Sequence, residues 1–165
     1  NIVSPHLLKN NDCLIYFKRG SEETKQELIR LLDSQKLSYE LITYGSYTEE
    51  QLIDVARRSR FCVTITSTES QGIAYQEILS MGVPCYVVDK TVWDDQPQHS
   101  CPATSAPYFD DKCGMKCVDL SEFKTFLNYL EIYKPRDYIL ENLTLEKCAS
   151  EYVKLLEMSH NVNES

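Results

Sequence analysis

Short apolar runs alternate with amphipathic segments over the first half of the chain, and this alternation restricts the possible folds more than any other feature. The apolar runs have strand length and cover residues 13–18, 38–45, 61–66 and 84–89. The segments between them have helical periodicity and cover residues 21–36, 48–60 and 72–81. Because the runs are continuously apolar, both faces of each strand are expected to be covered, as in a parallel sheet. The sequence therefore predicts an α/β fold: a Rossmann-like parallel sheet with helices on both faces.

Residues with helix-capping chemistry stand at the ends of the predicted helices. Ser21 precedes the first helix, and acidic residues occupy its first turn. Thr48 and Gln51 have the spacing of a capping box at the start of the second helix. Gly82 and Pro84 follow the third helix and are expected to end it.

The second half of the chain has a different pattern. Residues 90–118 contain many Asp, Pro and aromatic residues and are predicted to form a long loop region. Two closing helices are predicted at 120–134, ended by Pro135, and at 144–158. The apolar face of the last helix is expected to point inward and contains Leu145, Cys148, Ala149, Tyr152, Leu155 and Leu156.

The length of 165 residues, with 42% apolar composition, predicts a single domain with one core over residues 1–165. Its α/β core and binding loops would span 8–118, and its C-terminal helices 119–165. A net charge of −8 argues against nucleic acid or an anionic membrane surface as the main partner. No apolar run approaches the roughly 20 residues of a membrane span, so no membrane-spanning helix is expected.

The seven cysteines form an odd set without a C-x-x-C pair. Cys13, Cys62 and Cys85 lie inside apolar runs, where a free thiol behaves as a small hydrophobic group. Free thiols are typical of a reducing compartment, and a cytoplasmic location is therefore predicted.

Ligands of open parallel sheets bind beyond the carboxyl ends of the strands, where the strand-to-helix loops meet. The loop over 67–73 runs into the third helix, whose free N–H groups at Gly72 and Ile73 can bind an anion. Lys18 and Arg19 follow the first strand and are expected to supply positive charge at the same edge.

Two glutamates flank this predicted anion site. Glu77 is expected about 7 Å from the start of the helix, at 1.5 Å per residue, within reach of a ribose attached to a bound phosphate. Glu69 precedes the site, where a group on the far end of a diphosphate would lie. The two carboxylates therefore predict a diphosphate with a sugar at each end, which is a nucleotide sugar.

The segment "ESQGIAYQEILSMGVP" carries a family resemblance. Seven residues separate Glu69 from Glu77, and the segment resembles the donor-site signature E-G-F-G-x-x-x-x-E-A-M-A-x-G-x-P of GT-B glycosyltransferases of the family 4 type. Ser70 and Gln71 replace the usual glycine and aromatic residue. The similarity covers about residues 13–156 and corresponds to the nucleotide-binding, C-terminal half of such an enzyme.

The resemblance implies a role for each matching residue. Glu77 would bind the donor ribose, Glu69 the hydroxyls of the transferred sugar, Gly72 and Ile73 the distal phosphate, and Lys18 with Arg19 the diphosphate. Thr104 and Ser105 fall where the family has a donor loop. Tyr44 and Tyr47 follow the second strand and would either stack on the base or pack at the rim.

The resemblance also implies the reaction, which is transfer of a sugar from a UDP- or GDP-type donor to a glycan or other acceptor. The acceptor would be bound by an N-terminal domain or a separate partner chain. No D-x-D motif is present, so the site is expected to work without a metal or other cofactor. The sequence identifies no catalytic base.

Two other functions are compatible with parts of the sequence. A zinc site built from His99, Cys101, Cys113 and Cys117 would make the chain an interaction module, although this spacing is uncommon for zinc. A non-catalytic doubly wound regulator of receiver type needs acidic residues after the first and third strands. Lys18-Arg19 and Thr66-Ser67 occupy those places.

Overall fold

The computed structural model describes residues 9–96 and 99–162. Its strands are β1 (Asn11–Lys18), β2 (Tyr39–Thr43), β3 (Ser59–Thr66), β4 (Cys85–Val88), β5 (Val92–Gln96), β6 (His99–Pro102) and β7 (Gly114–Cys117). Five of them form a parallel sheet in the order β2-β1-β3-β4-β7, and β5 pairs with β6 in an antiparallel hairpin.

The helices are α1 (Glu22–Ser34), α2 (Glu49–Arg58), α3 (Ile73–Ser80), α4 (Phe123–Asn128), α5 (Pro135–Asn142) and α6 (Leu145–Val162). A 3-10 turn follows α4 at Leu130–Ile132. The all-parallel sheet with its helices confirms the predicted α/β, Rossmann-like class.

Two apolar clusters lie on opposite faces of the sheet because successive strand residues point to opposite sides. On one face α1 and α4 cover the sheet, with Leu28 and Phe126 packed near Ile15 of β1. On the other face α2, α3 and α5 cover it, with Ile78 packed near Leu14. Both faces of β1, β3 and β4 are therefore largely buried, which explains why these strands are continuously apolar.

The chain reverses its direction of travel across the sheet at β1. This strand pairs with β2 on one side and with β3 on the other, and Lys18 at its end lies opposite Thr66 of β3. The chain leaves β1 into α1 on one face of the sheet and leaves β3 into α3 on the other, so these two connections diverge between neighbouring strands. Open α/β sheets have their ligand crevice at such a switch point.

The predicted helix caps are present. Ser21 caps α1 by accepting a hydrogen bond of 3.1 Å from the N–H of Thr24. Thr48 and Gln51 form both hydrogen bonds of the capping box at the start of α2. These short-range signals were therefore sufficient to locate the starts of both helices.

We expect Thr48→Ala to lower the free energy of unfolding by about 1 kcal/mol, because it leaves a helix N–H without its acceptor. Thermal denaturation should show a melting temperature lower by about 2 to 4 °C. Ser46→Ala, at an exposed serine in the same loop, is the control and should leave the melting temperature unchanged. If Thr48→Ala and Ser46→Ala have the same melting temperature, the capping box does not stabilise the protein.

Residues 90–118 are more ordered than a loop, and the prediction for this segment was wrong. They contain the β5–β6 hairpin and β7, which extends the parallel sheet beside β4. β7 has only four residues and begins at Gly114, whose φ of 138° few other residues adopt. Its strand character comes from pairing with β4, a contact that local sequence does not encode.

The C-terminal helices also differ from the prediction. The predicted helix at 120–134 is reduced to α4 and the 3-10 turn, and Pro135 starts α5 as its first residue. Proline suits this position because its missing N–H would have no partner in the first turn of a helix. Pro135 was thus predicted to end one helix, whereas it begins the next one.

The apolar face of α6 is exposed, which contradicts its predicted inward orientation. Leu145 is 83% exposed, and Tyr152 and Leu155 are each 63% exposed. Cys148 and Ala149 are exposed as well. Periodicity locates an apolar stripe on a helix but does not specify what covers it.

All seven thiols are free. Cys13, Cys62 and Cys85 are fully buried in β1, β3 and β4, which confirms that they act as small hydrophobic core residues. In the part of the chain that the structure describes, no helix has the length and apolar character needed to cross a bilayer.

Candidate functional site

A cleft of about 350 Å³ opens at the carboxyl ends of β1 and β3, beside the first turn of α3. We call it the α3 cleft. Six of the nine predicted site residues line it: Lys18, Tyr44, Glu69, Gly72, Ile73 and Glu77. The fold thus brings most of the predicted site together from three different strand-to-helix loops.

The N-terminus of α3 presents backbone N–H groups to this cleft. Gly72 is the N-cap residue, with a left-handed φ of 67°, and no side chain of the described residues caps the helix. A Cβ atom at this position would lie 1.9 Å from Cε1 of Tyr75. The Tyr75 ring is held in place because its hydroxyl donates to the carbonyl of Pro107. Only glycine fits here, and the first-turn N–H groups remain available for an anion.

Lys18 and Glu69 form an ion pair across the cleft. The Lys18 Nζ lies 2.7 Å from Oε1 and 2.9 Å from Oε2 of Glu69, and it is 4.6 Å from the centre of the Tyr44 ring. Both side chains are mostly buried. An ammonium has three donors, and the two carboxylate oxygens occupy two of them. Lys18 therefore retains one donor for an anionic ligand.

Glu77 lies in the second turn of α3 and is half-buried. In the described part of the chain, no side-chain or backbone donor reaches its carboxylate. Burial, followed by the negative charge of Glu49, raises the pKa of the Glu77 carboxyl above its usual value. A ligand that donates hydrogen bonds would stabilise the ionised form of this group.

Tyrosine side chains form one wall of the α3 cleft. The Tyr16 and Tyr47 rings meet edge to face with centroids 6.1 Å apart, and their hydroxyls are 3.3 Å apart. Tyr44 is 52% exposed, so its ring is available for stacking. Tyr16 also lines the cleft but was not among the predicted site residues. It is two residues from Lys18, and a strand places such residues on the same face.

Thr104 and Ser105 do not line the α3 cleft, although they were predicted to contact the ligand. The carbonyl of Thr104 accepts a 2.9 Å hydrogen bond from the N–H of Glu69. The buried Ser105 hydroxyl donates to the carbonyl of Thr66 at 3.3 Å. These two residues therefore hold the β3–α3 loop in position and act on the cleft only through it.

Arg19 lies apart from Lys18, although the two were predicted to act together. Lys18 shares the face of β1 that carries Tyr16, whereas Arg19 lines a separate cleft beside α1. Alternation along the strand separates the two cations. Arg19 also has a left-handed φ of 54° and forms a single antiparallel bridge to Thr66.

The cysteines of the alternative zinc site differ in their surroundings. Cys101 is exposed in β6, Cys113 is fully buried, and Cys117 is half-buried in β7. The side chain of His99 lies outside the described residues. Within the described residues, no group of three or more His, Cys, Asp or Glu side chains could hold a metal ion.

Comparison of the chain with protein-family models and with curated proteins found no match. The fold and the chemistry of the α3 cleft are therefore the basis for a functional proposal.

Proposed function

We propose that the chain is the donor-binding part of a GT-B-type glycosyltransferase and binds a nucleoside-diphosphate sugar of UDP or GDP type in the α3 cleft. The observation that carries the proposal is the composition of this cleft. It combines an uncapped helix N-terminus, a lysine with a remaining donor, and two carboxylates placed on either side of that N-terminus.

Each part of a nucleotide sugar has a complementary group in the cleft. The diphosphate oxygens would accept hydrogen bonds from the N–H groups at the start of α3 and from Lys18. Among the described residues no donor reaches the Glu77 carboxylate, and the vicinal diol of the ribose would supply two. Glu69 would accept from hydroxyls of the transferred sugar, and the exposed Tyr44 ring would stack on the base.

In the proposed reaction the bond between the sugar and the diphosphate breaks, and the sugar forms a new bond to a hydroxyl oxygen of the acceptor. The proton of that hydroxyl passes to the leaving diphosphate or to solvent. The leaving diphosphate gains negative charge, which the α3 N-terminus and Lys18 would stabilise. The acceptor glycan would be held by an N-terminal domain or a partner chain. Seven free thiols favour a reducing compartment such as the cytoplasm.

The proposal predicts nucleotide binding that does not depend on a metal, since N–H groups and an ammonium neutralise the diphosphate. Calorimetric titration with UDP-, GDP- and dTDP-sugars should give the same affinity with and without excess chelator. Lys18→Met should weaken binding, whereas Lys154→Met, at an exposed lysine of α6, should not.

Two results would contradict this prediction. A large loss of affinity in chelator would indicate a metal-dependent site. Stoichiometric zinc in the purified protein, measured by elemental analysis, would instead favour the zinc site built from His99 and the cysteines.

A further inference from the structure

A buried threonine at the carboxyl end of β3 faces the α3 cleft. In the strand register Thr66 lies opposite Lys18 of β1. Thr64 and Tyr16, two residues earlier on the same strands, also lie opposite each other and share this face of the sheet. All four residues line the α3 cleft. The Thr66 side chain is therefore directed into the cleft, beside that of Lys18.

The Thr66 hydroxyl has no hydrogen-bond partner in the described structure, although the residue is only 8% exposed. Buried polar groups are nearly always paired, because an unpaired one destabilises the native state. By contrast, the buried hydroxyls of Ser59 and Ser105 both donate to backbone carbonyls. Thr66 thus has an unused donor at the edge of the candidate site.

The neighbouring polar groups on this face are donors or are already paired. An ammonium has no acceptor, so Lys18 cannot accept a hydrogen bond from Thr66. The hydroxyls of Tyr16 and Tyr47 pair with each other at 3.3 Å. Both carboxylate oxygens of Glu69 are bound by Lys18. A ligand oxygen in the cleft can accept from Thr66, and the remaining donor of Lys18 lies beside it.

Position along the cleft indicates which ligand oxygen this is. Glu77 lies in the second turn of α3, on the ribose side of the proposed complex. Lys18 and Glu69 lie at the strand ends, on the side of the transferred sugar. Thr66 is beside Lys18 and three residues before Glu69, so it is on the sugar side of the diphosphate.

We propose that the Thr66 hydroxyl donates a hydrogen bond to the distal phosphate of the donor, the phosphate that carries the transferred sugar. This inference rests on the proposed nucleotide-sugar function. Because the hydroxyl is buried, the Lys18 ammonium would turn from Glu69 toward the phosphate as the ligand enters. The hydroxyl then serves ligand binding and lowers the stability of the protein without ligand.

Thr66→Val keeps the shape of the side chain and should change stability and affinity in opposite directions. The melting temperature without ligand should rise by roughly 2 to 4 °C, because an unpaired buried hydroxyl is removed. Calorimetric titration with UDP or GDP, whichever binds more tightly, should show an affinity lower by roughly ten- to 150-fold, because a hydrogen bond to a charged group is lost.

The corresponding monophosphate, UMP or GMP, lacks the distal phosphate, and its affinity should not change in Thr66→Val. Thr66→Ser restores a hydroxyl and should bind the diphosphate nearly as well as the wild type. Ser59→Ala is the matched control, since Ser59 lies at the other end of β3 and its buried hydroxyl is paired with Asn11 and Val55. This control should lower the melting temperature and leave the diphosphate affinity unchanged.

Failure of this inference is distinguishable from failure of the proposed function. If the wild type binds the diphosphate and Thr66→Val binds it equally well, the inference is overturned and the proposed function stands. An equal loss for monophosphate and diphosphate would overturn the assignment to the distal phosphate. A melting temperature lowered as in Ser59→Ala would overturn it too, because the hydroxyl would then have a partner within the fold. If the wild type binds no nucleotide or nucleotide sugar, the proposed function is rejected and this inference with it.

Discussion

Replacing Glu77 by alanine is expected to weaken binding of bare UDP or GDP by roughly ten- to 150-fold, the effect of losing a charge-assisted hydrogen bond. Every such ligand has a ribose, so the loss should be the same for nucleotides and for nucleotide sugars. Glu77 makes no side-chain hydrogen bond with the described residues, so the fold should tolerate the change. Calorimetric titration of the variant gives the affinities.

Glu69→Ala should have a different effect, because Glu69 is assigned to the transferred sugar. It should remove the preference for a nucleotide sugar over the bare nucleotide. Bare diphosphate binding should not weaken, since Lys18 loses only its ion-pair partner and keeps its charge. Glu27→Ala, at an exposed glutamate of α1, is the control.

Both cleft variants must melt like the wild type before their affinities are compared. Equal effects of Glu77→Ala and Glu69→Ala on bare UDP, or no effect from either, would reject the assignment of the two carboxylates. In that case they would be ordinary polar residues at the rim of the cleft.

Phe126→Ala is expected to cause the largest loss of stability, about 3 to 5 kcal/mol, because it leaves a cavity in the core under α4. The Phe126 ring is fully buried, and its centroid lies 5.4 Å from that of Tyr133, 5.5 Å from that of Tyr86 and 5.9 Å from that of Phe61. A chain of this size should melt about 6 to 20 °C lower.

Urea denaturation of Phe126→Ala provides the change in the free energy of unfolding. Tyr129→Ala is the matched control, since Tyr129 follows α4 directly but is 50% exposed. The control should change the free energy by less than about 0.5 kcal/mol. A similarly small effect of Phe126→Ala would mean that α4 does not contribute to the core.

Local sequence was sufficient for the first four strands of the parallel sheet and for the three helices between them. Continuous apolar runs identify doubly covered strands, and the hydroxyls of Ser21 and Thr48 mark the helix starts. These signals involve residues within one element or one turn, so they can be read without knowing the fold.

The structure beyond residue 90 depended on contacts between distant segments. β7 is a strand because it pairs with β4, and Gly114 permits this pairing because a Cβ there would lie 2.0 Å from the carbonyl oxygen of Cys85. The exposed face of α6 also reflects contacts between distant segments, because no such contact among the described residues covers it. Its periodicity predicts an apolar stripe, but burial requires a second surface opposite it.

The sequence by itself determined which chemical groups the site has, because strand-to-helix loops of a parallel sheet meet at one edge. It placed Lys18, Glu69, Gly72 and Glu77 there. Only the tertiary structure decided their partners: Lys18 pairs with Glu69, which is 51 residues away, and Arg19 falls in the other cleft. The reason is that pleating and loop geometry, which orient side chains, are set by how the strands pack together.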